Sequence, residues 1–297
     1  MMSVVMPATT LAFSQELLSS LDSGEANAQQ LQQQLATGSS ILAPSDNPTG
    51  AVDSLSAQAA AAQANTWSTN AADGLSRLGL ANQTLNQVLD QVSQLQQAVE
   101  SVSTANFSPA GSSALAVQVQ GIGQSILAEA NTSYEGYAIF GGTSGATQAF
   151  SSSGTYLGNS NAPVRTVGPG IQLPAGVTGD AVFGTGATGL FGVINQTVAD
   201  LQAGDTNAVL GTDLSNLNSW YDNLQGSAAQ VGALYDEMNA AQGQAQSTAQ
   251  TLSTQASDLT SVDLPQASTE LSLQQSTLQA ALYSLSQVVP ESLLQYL

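Results

Sequence analysis

The sequence predicts a mainly α fold: a long, coiled-coil-like helical rod domain built from N- and C-terminal segments, with a small β-rich domain inserted. Three observations predict it. Apolar residues recur at alternating spacings of three and four over long segments, the rhythm of helices that bury a narrow seam against partner helices. Twelve glycines together with Pro163, Pro169 and Pro174 punctuate residues 141–189, where helix cannot persist. Beyond Gly189 the heptads resume. The expected organisation is an N-terminal assembly segment over 1–48, mobile in the monomer, and a first half of the rod over 49–140. A β-rich inserted domain follows over 141–190, then the second half of the rod over 191–260 and a C-terminal assembly segment over 261–297.

Leu17, Leu21, Gly24, Ala28, Leu31 and Leu35 form the first seam, which Gly24 spoils, since glycine costs about 1 kcal/mol relative to alanine within a helix. Gly38 closes that helix. Pro44-Ser45-Asp46-Asn47-Pro48 then reads as a turn, with Asn47 as N-cap and Pro48 at the first helical position of the next helix. A second series runs through Leu78, Ala81, Leu85, Val88, Val92, Leu95, Val99 and Val102, and a third through Leu115, Val119, Ile122 and Ile126 after Ser108-Pro109. In the insertion, Val164 to Val167 and Ala181 to Phe183 are β-prone, and the whole is expected to form a separate lobe.

The longest series runs from Leu214 and Leu217 through Tyr221, Leu224, Ala228, Val231, Tyr235 and Met238 to Leu259, broken only at Gln242. At about 1.5 Å per residue it spans roughly 70 Å. Leu271, Gln275, Leu278, Leu282, Leu285 and Val289 make a last seam. Both end helices are marginal in isolation, so each is expected to order only when it pairs.

Composition removes several functions. Arg77 and Arg165 are the two basic residues against 21 acidic ones, a formal charge of −19 with no Lys and no His. Two separated arginines cannot neutralise a phosphate backbone or dock on an anionic membrane. With neither His nor Cys there is no zinc site, no thiolate, and no base for a serine nucleophile. Asp236-Glu237 and the pair Glu129 and Glu135 qualify for carboxylate chemistry by residue type alone, and charges on such helices are solvated. No catalytic residue, cofactor or metal is therefore expected. Trp67, Trp220, Tyr221 and Tyr235 fall in helical stretches and read as packing.

Gly184-Thr185-Gly186-Ala187-Thr188-Gly189 spells G-x-G-x-x-G, but Asp200 and Asp205 lie in or after a helical stretch and not at the end of a parallel strand, so it reads as a glycine-rich exit loop. Met1 to Phe13 lacks a basic n-region, and no run of 18 apolar residues occurs. Export, if it occurs, is expected to read an uncleaved N-terminus. Near-absence of bases suggests an acidic medium, where carboxylates are neutral and each Lys or His would add unbalanced positive charge. Assembly confined to neutral pH would count against that hypothesis.

Several stretches carry a resemblance. Gln34-Leu35-Ala36-Thr37-Gly38 followed by Ile41 to Pro48 resembles the N-terminal signature shared by flagellins and the flagellar hook-associated protein 3 family, the Pro-Ser-Asp-x-Pro form favouring the latter. Asn131-Thr132 with Tyr137 to Thr143, Tyr156-Leu157-Gly158, Val177 to Gly184 and Val262 to Leu271 are similar to further landmarks of that family. Pro290 to Leu297, with Leu293 and Leu294, looks like its closing segment. Ser39 and Ser40 depart from it where basic residues are usual.

The resemblance implies a structural subunit of the bacterial flagellum without chemistry, exported unfolded by the type III apparatus and assembled as a ring at the hook-filament junction. Implied partners are the first hook-associated protein, flagellin, other copies of the chain and an export chaperone. Implied assembly residues are Leu17, Leu21, Ala28, Leu31, Leu35, Leu271, Leu278, Leu282, Leu285, Val289, Leu293 and Leu294. Flagellin itself is the nearest alternative, and a secreted binding protein that uses the β lobe is another.

Overall fold

The computed structural model describes residues 7–104 and 108–288. Helices dominate: α1 (Pro7–Thr37), α2 (Pro48–Glu100), α3 (Pro109–Ala130), α4 (Gly179–Phe183), α5 (Leu190–Ala203), α6 (Thr206–Ala208), α7 (Leu214–Asp258) and α8 (Leu264–Val288). Two small antiparallel hairpins, β1 (Ser133–Tyr134) with β2 (Tyr137–Ala138) and β3 (Val164–Gly168) with β4 (Ile171–Pro174), supply the named strands of the described residues. A π turn at Val209–Asp213 leads into α7. The chain divides into two compact units, residues 62–249 and residues 1–61 with 250–297.

The larger unit is organised by α2 and α7. Every residue of the second heptad series, Leu78 through Val102, is buried, because a strict three-four alternation keeps one stripe facing a partner along the helix. On α7 the matching stripe is Leu217, Leu224, Val231, Met238 and Ala245, seven residues apart and all buried. The two helices run antiparallel. A Cβ on Gly74 would meet Met238, one on Gly79 would approach Tyr235, and Gln96 Nε2 donates to Asn218 Oδ1 at 2.8 Å. The alternate α7 positions Leu214, Tyr221 and Ala228 are half-buried, and Tyr235 is exposed, so Tyr235 packs less than its heptad position suggests.

Helices α3 and α5 form a second antiparallel pair in this unit. Ser108 caps α3 by accepting from Gly111 N at 3.2 Å, with Pro109 in the first turn. Gly123 lets Ile194 approach within 2.8 Å of where a Cβ would stand, and Ser112 Oγ donates to Leu201 O. The glycine-rich insertion shares this core. Phe140, Phe150 and Phe183 are fully buried; Phe183 meets Phe140 and Phe150 at ring centroid distances of 5.1 and 5.5 Å, and Phe150 and Phe183 meet Phe191 of α5 at 4.9 and 5.9 Å. The separate lobe expected for 141–190 is thus merged with the helices, because large aromatic side chains bury more area against helices than short hairpins offer one another.

In the smaller unit, α1 and α8 pack antiparallel on each other. The turn after α1 is built as its residue types dictate. Asp46 Oδ2 accepts from Leu42 N at 3.0 Å and Ala43 N at 2.8 Å, and Asn47 Oδ1 accepts from Gly50 N at 2.9 Å, which caps α2. Gly38 takes φ 71°, a left-handed conformation that favours glycine at a helix end. Ser40 N donates to Thr260 O at 2.7 Å and Val262 N to Gly38 O at 3.1 Å, tying that turn to the connection between α7 and α8. Asp263 Oδ1 caps α8 through Gln266 N at 3.0 Å.

Candidate functional site

The region with the strongest claim to a function is the α1–α8 pair. On α1 the inward stripe is Leu21, Gly24, Ala28, Leu31 and Leu35, with Gly24 and Ala28 buried and the leucines half-buried. On α8 it is Ala267, Leu271, Gln274, Leu278 and Ala281. Leu271 and Leu278 lie where the heptads put them, but the intermediate positions are Gln274 and Ala281, not Gln275 and Leu282. Gly24 explains the rotation. Without a side chain it admits Leu278 Cδ2 to 3.1 Å of an imagined Cβ, and Gln274 Nε2 donates to its carbonyl at 3.1 Å. The glycine that spoils the seam by helix propensity is a contact point for Gln274 and Leu278.

Leu282 is 57% exposed. With Leu18, Leu21 and Leu278 it lines an open groove rimmed by Asp22 and Glu25. Leu264 and Leu273 on α8 and Val52 and Leu55 on α2 are also exposed, so this unit presents apolar surface that its own fold does not bury. Leu17 and Leu285 lie on α1 and α8 with side chains outside the described set; Val289, Leu293 and Leu294 lie outside the described residues.

The chain's two bases are both spent on anchoring hairpins. Arg77 of α2 is buried and donates to Ile139 O at 2.8 Å and Ala138 O at 3.4 Å; burial, then the charge of Arg165, lower its pKa. Arg165 Nε of β3 pairs with Asp73 Oδ2 at 2.6 Å, and Asp73 Oδ1 accepts from the Tyr134 hydroxyl at 3.1 Å. Burial, then the Asp73 hydrogen bond, raise the Tyr134 pKa. The Tyr156 hydroxyl lies 2.8 Å from Asn159 O and 3.0 Å from Phe140 O, between which its single proton is shared, and its pKa is raised by burial and then by Asp180. Composition alone did not reveal these anchors; the signal available was that a chain avoiding bases keeps these two.

The G-x-G-x-x-G segment is not a phosphate cradle. It follows α4 and not a strand, and the Trp220 ring lies 2.6 Å from where a Gly184 Cβ would be. Trp220 Nε1 donates to Thr188 O at 3.1 Å, closing the loop with protein atoms. Asp236 and Glu237 are exposed on α7, and Glu135 sits in the β1–β2 turn at φ 52°. Among the described residues no cluster of carboxylates is arranged to hold a metal ion, and no helix is long and apolar enough to cross a membrane.

The N-terminal helical region of bacterial flagellin matches residues 9–145, and the flagellin C-terminal helical region matches residues 214–297. Flagellar hook-associated protein 3 of Escherichia coli (strain K12) is 25% identical over 273 residues, which span 84% of this chain and 86% of that protein. Two solved structures share the fold. A putative flagellar hook-associated protein from Vibrio parahaemolyticus superposes with a TM-score of 0.67 at 18% identity, covering 73% of this chain and all of that one. FlgL of Bacillus cereus does so with a TM-score of 0.59 at 22% identity, covering 68% of this chain and 99% of that one.

Proposed function

This chain belongs to the bacterial flagellin family, whose two terminal helical regions it carries, and on that premise we propose that it is the flagellar subunit that forms the junction ring between hook and filament. A structural role in the flagellum is common to its relatives. The finer assignment rests on the likeness to hook-associated protein 3 along most of the chain. It also rests on the Pro44-Ser45-Asp46-Asn47-Pro48 turn, where side-chain caps fix the passage from α1 to α2.

The observation that carries the mechanism is the half-finished α1–α8 seam. Its leucines stay half-exposed while Leu18, Leu264, Leu273 and Leu282 face outward, so a neighbouring helix pair has apolar area left to bury. The chain would leave the cell unfolded through the flagellar export apparatus, its terminal segments held by a chaperone. It would then assemble with further copies between the first hook-associated protein and flagellin, the terminal helices gaining most of their order from that contact.

Deleting the gene tests the reading. Cells that keep hooks, lack filaments and release flagellin into the medium are expected. Filaments of normal length would overturn the junction assignment, and hooks lacking any downstream protein of this chain's size would point to flagellin itself.

A further inference from the structure

Three carboxylates converge where α5 passes to α7. Asp200 stands in the last turn of α5, Asp205 caps α6 by accepting from Ala208 N at 3.0 Å, and Asp213 ends the π turn that opens α7. Asp213 is only 2% exposed, and its Oδ2 is buried without a hydrogen-bond partner. The polar groups that act on it are Asp200, Asp205 and Thr197, Asp200 and Thr197 standing on α5 and Asp205 at the start of α6. The hydrogen-bond donors nearby are already engaged. A hydroxyl has one proton, and Thr197 Oγ1 gives its proton to Val193 O at 2.9 Å, while Gln196 Nε2 serves Asp200 Oδ1 at 2.9 Å.

No cation answers this charge from the protein. Arg77 and Arg165 are the chain's bases, and both are held at the hairpins. Nor do these carboxylates form a group that could hold a metal ion. A buried carboxylate facing two others keeps a proton, because that proton both removes one of the three like charges and supplies the missing donor.

We propose that Asp213 and Asp200 form a proton-bridged carboxyl pair, a latch that fastens the π turn to α5 in acid and loosens as the proton leaves. The proton on Asp213 Oδ2 gives that oxygen the hydrogen bond it lacks, with Asp200 as acceptor. A π turn is the irregular step of an otherwise regular helix, and such steps recur where a helix must move or respond. Burial, then the Asp200 charge, push Asp213 up to about 6 from an ordinary 3.8. The folded chain therefore holds a proton that the unfolded chain has released between those values. The latch contributes fully below the unfolded value, and its contribution is lost as pH rises through about 6. Composition agrees independently: with no Lys and no His, the chain adds no positive charge as it acidifies.

The test compares full-length wild type, Asp213→Asn and Asp200→Asn from about pH 4 to about pH 8, by thermal unfolding and by amide exchange of residues 205–216. Wild type is expected to gain midpoint temperature and local protection on acidification, with a transition near pH 6. Asp213→Asn, a permanently neutral donor, is expected to lose that transition and exceed wild type above it. Asp200→Asn is expected to move it down by about one pH unit. A wild-type profile in Asp213→Asn overturns the latch. If Asp213→Asn does not fold, an unshifted transition in Asp200→Asn overturns it instead. Calcium chloride at neutral pH is expected to change nothing; if it reproduces the acid effect in wild type alone, the pair is a cation site and the latch is overturned.

Discussion

Arg77 shows how one side chain can hold a fold together in a chain that otherwise avoids bases. One nitrogen of its guanidinium, Nη2, reaches the adjacent carbonyls of Ala138 and Ile139. Room for it comes from Gly176, where a Cβ would stand 3.1 Å from Arg77 Nε. Arg77→Gln is expected to leave a buried carbonyl unpaired and to cost about 1–3 kcal/mol, read as a lower denaturant midpoint at unchanged slope. Leu282 makes the opposite case. Because it is exposed, Leu282→Asp should leave circular dichroism and melting unchanged yet block incorporation into the flagellum. Wild-type assembly by this variant would remove Leu282 from the interface.

The helices differ in how much of their stability is their own. α2 buries its whole 78–102 stripe and α7 one residue in each heptad, and Leu85 within the α2 stripe has no exposed surface. Leu85→Ala should cost about 2–5 kcal/mol, the range for a truncated core leucine that leaves a cavity. α1 and α8 meet through a glycine, alanines and half-exposed leucines, a contact that buries little per turn. Amides of α1 and α8 in the monomer are expected to exchange orders of magnitude faster than those of residues 78–99. Equal protection would mean the seam is complete without a neighbour. For the insertion, the shared aromatic core changes what a deletion can test. Removing 141–190 would strip Phe150 and Phe183 from Phe191 and remove Arg165, the partner of Asp73. Loss of cooperative unfolding in residues 62–249 is the expected result, so the lobe's surface is better tested by substitutions at exposed Val164 or Ile171.

At the scale of the molecule, charge dominates. The formal −19 has no basic counterpart on the smaller unit, since both arginines lie among residues 62–249. Copies approaching through that unit repel unless the carboxylates are screened or protonated. Self-association of the purified chain should therefore rise steeply between about 0.05 M and about 0.5 M salt, as sedimentation would show. Association that weakens with salt would mean that attraction between opposite charges, for which the smaller unit has no Lys or Arg, drives it.

By itself the sequence determined the helical class, the buried stripe of α2, the capped turn at Asn47-Pro48 and the absence of the His and Cys that zinc sites need. Each of these follows from local rules: a heptad fixes a face, an amide caps a helix, and a missing residue type removes a reaction. The tertiary structure alone decided that Gly24 is a contact and not a flaw, that α8 turns Gln274 and Ala281 inward in place of Gln275 and Leu282, and that the insertion joins the helical core. It alone brought Asp200 and Asp213 together. These depend on which surfaces approach most closely, and the distance between two elements is set by the smallest side chains where they cross, a property of the pair that neither segment encodes separately.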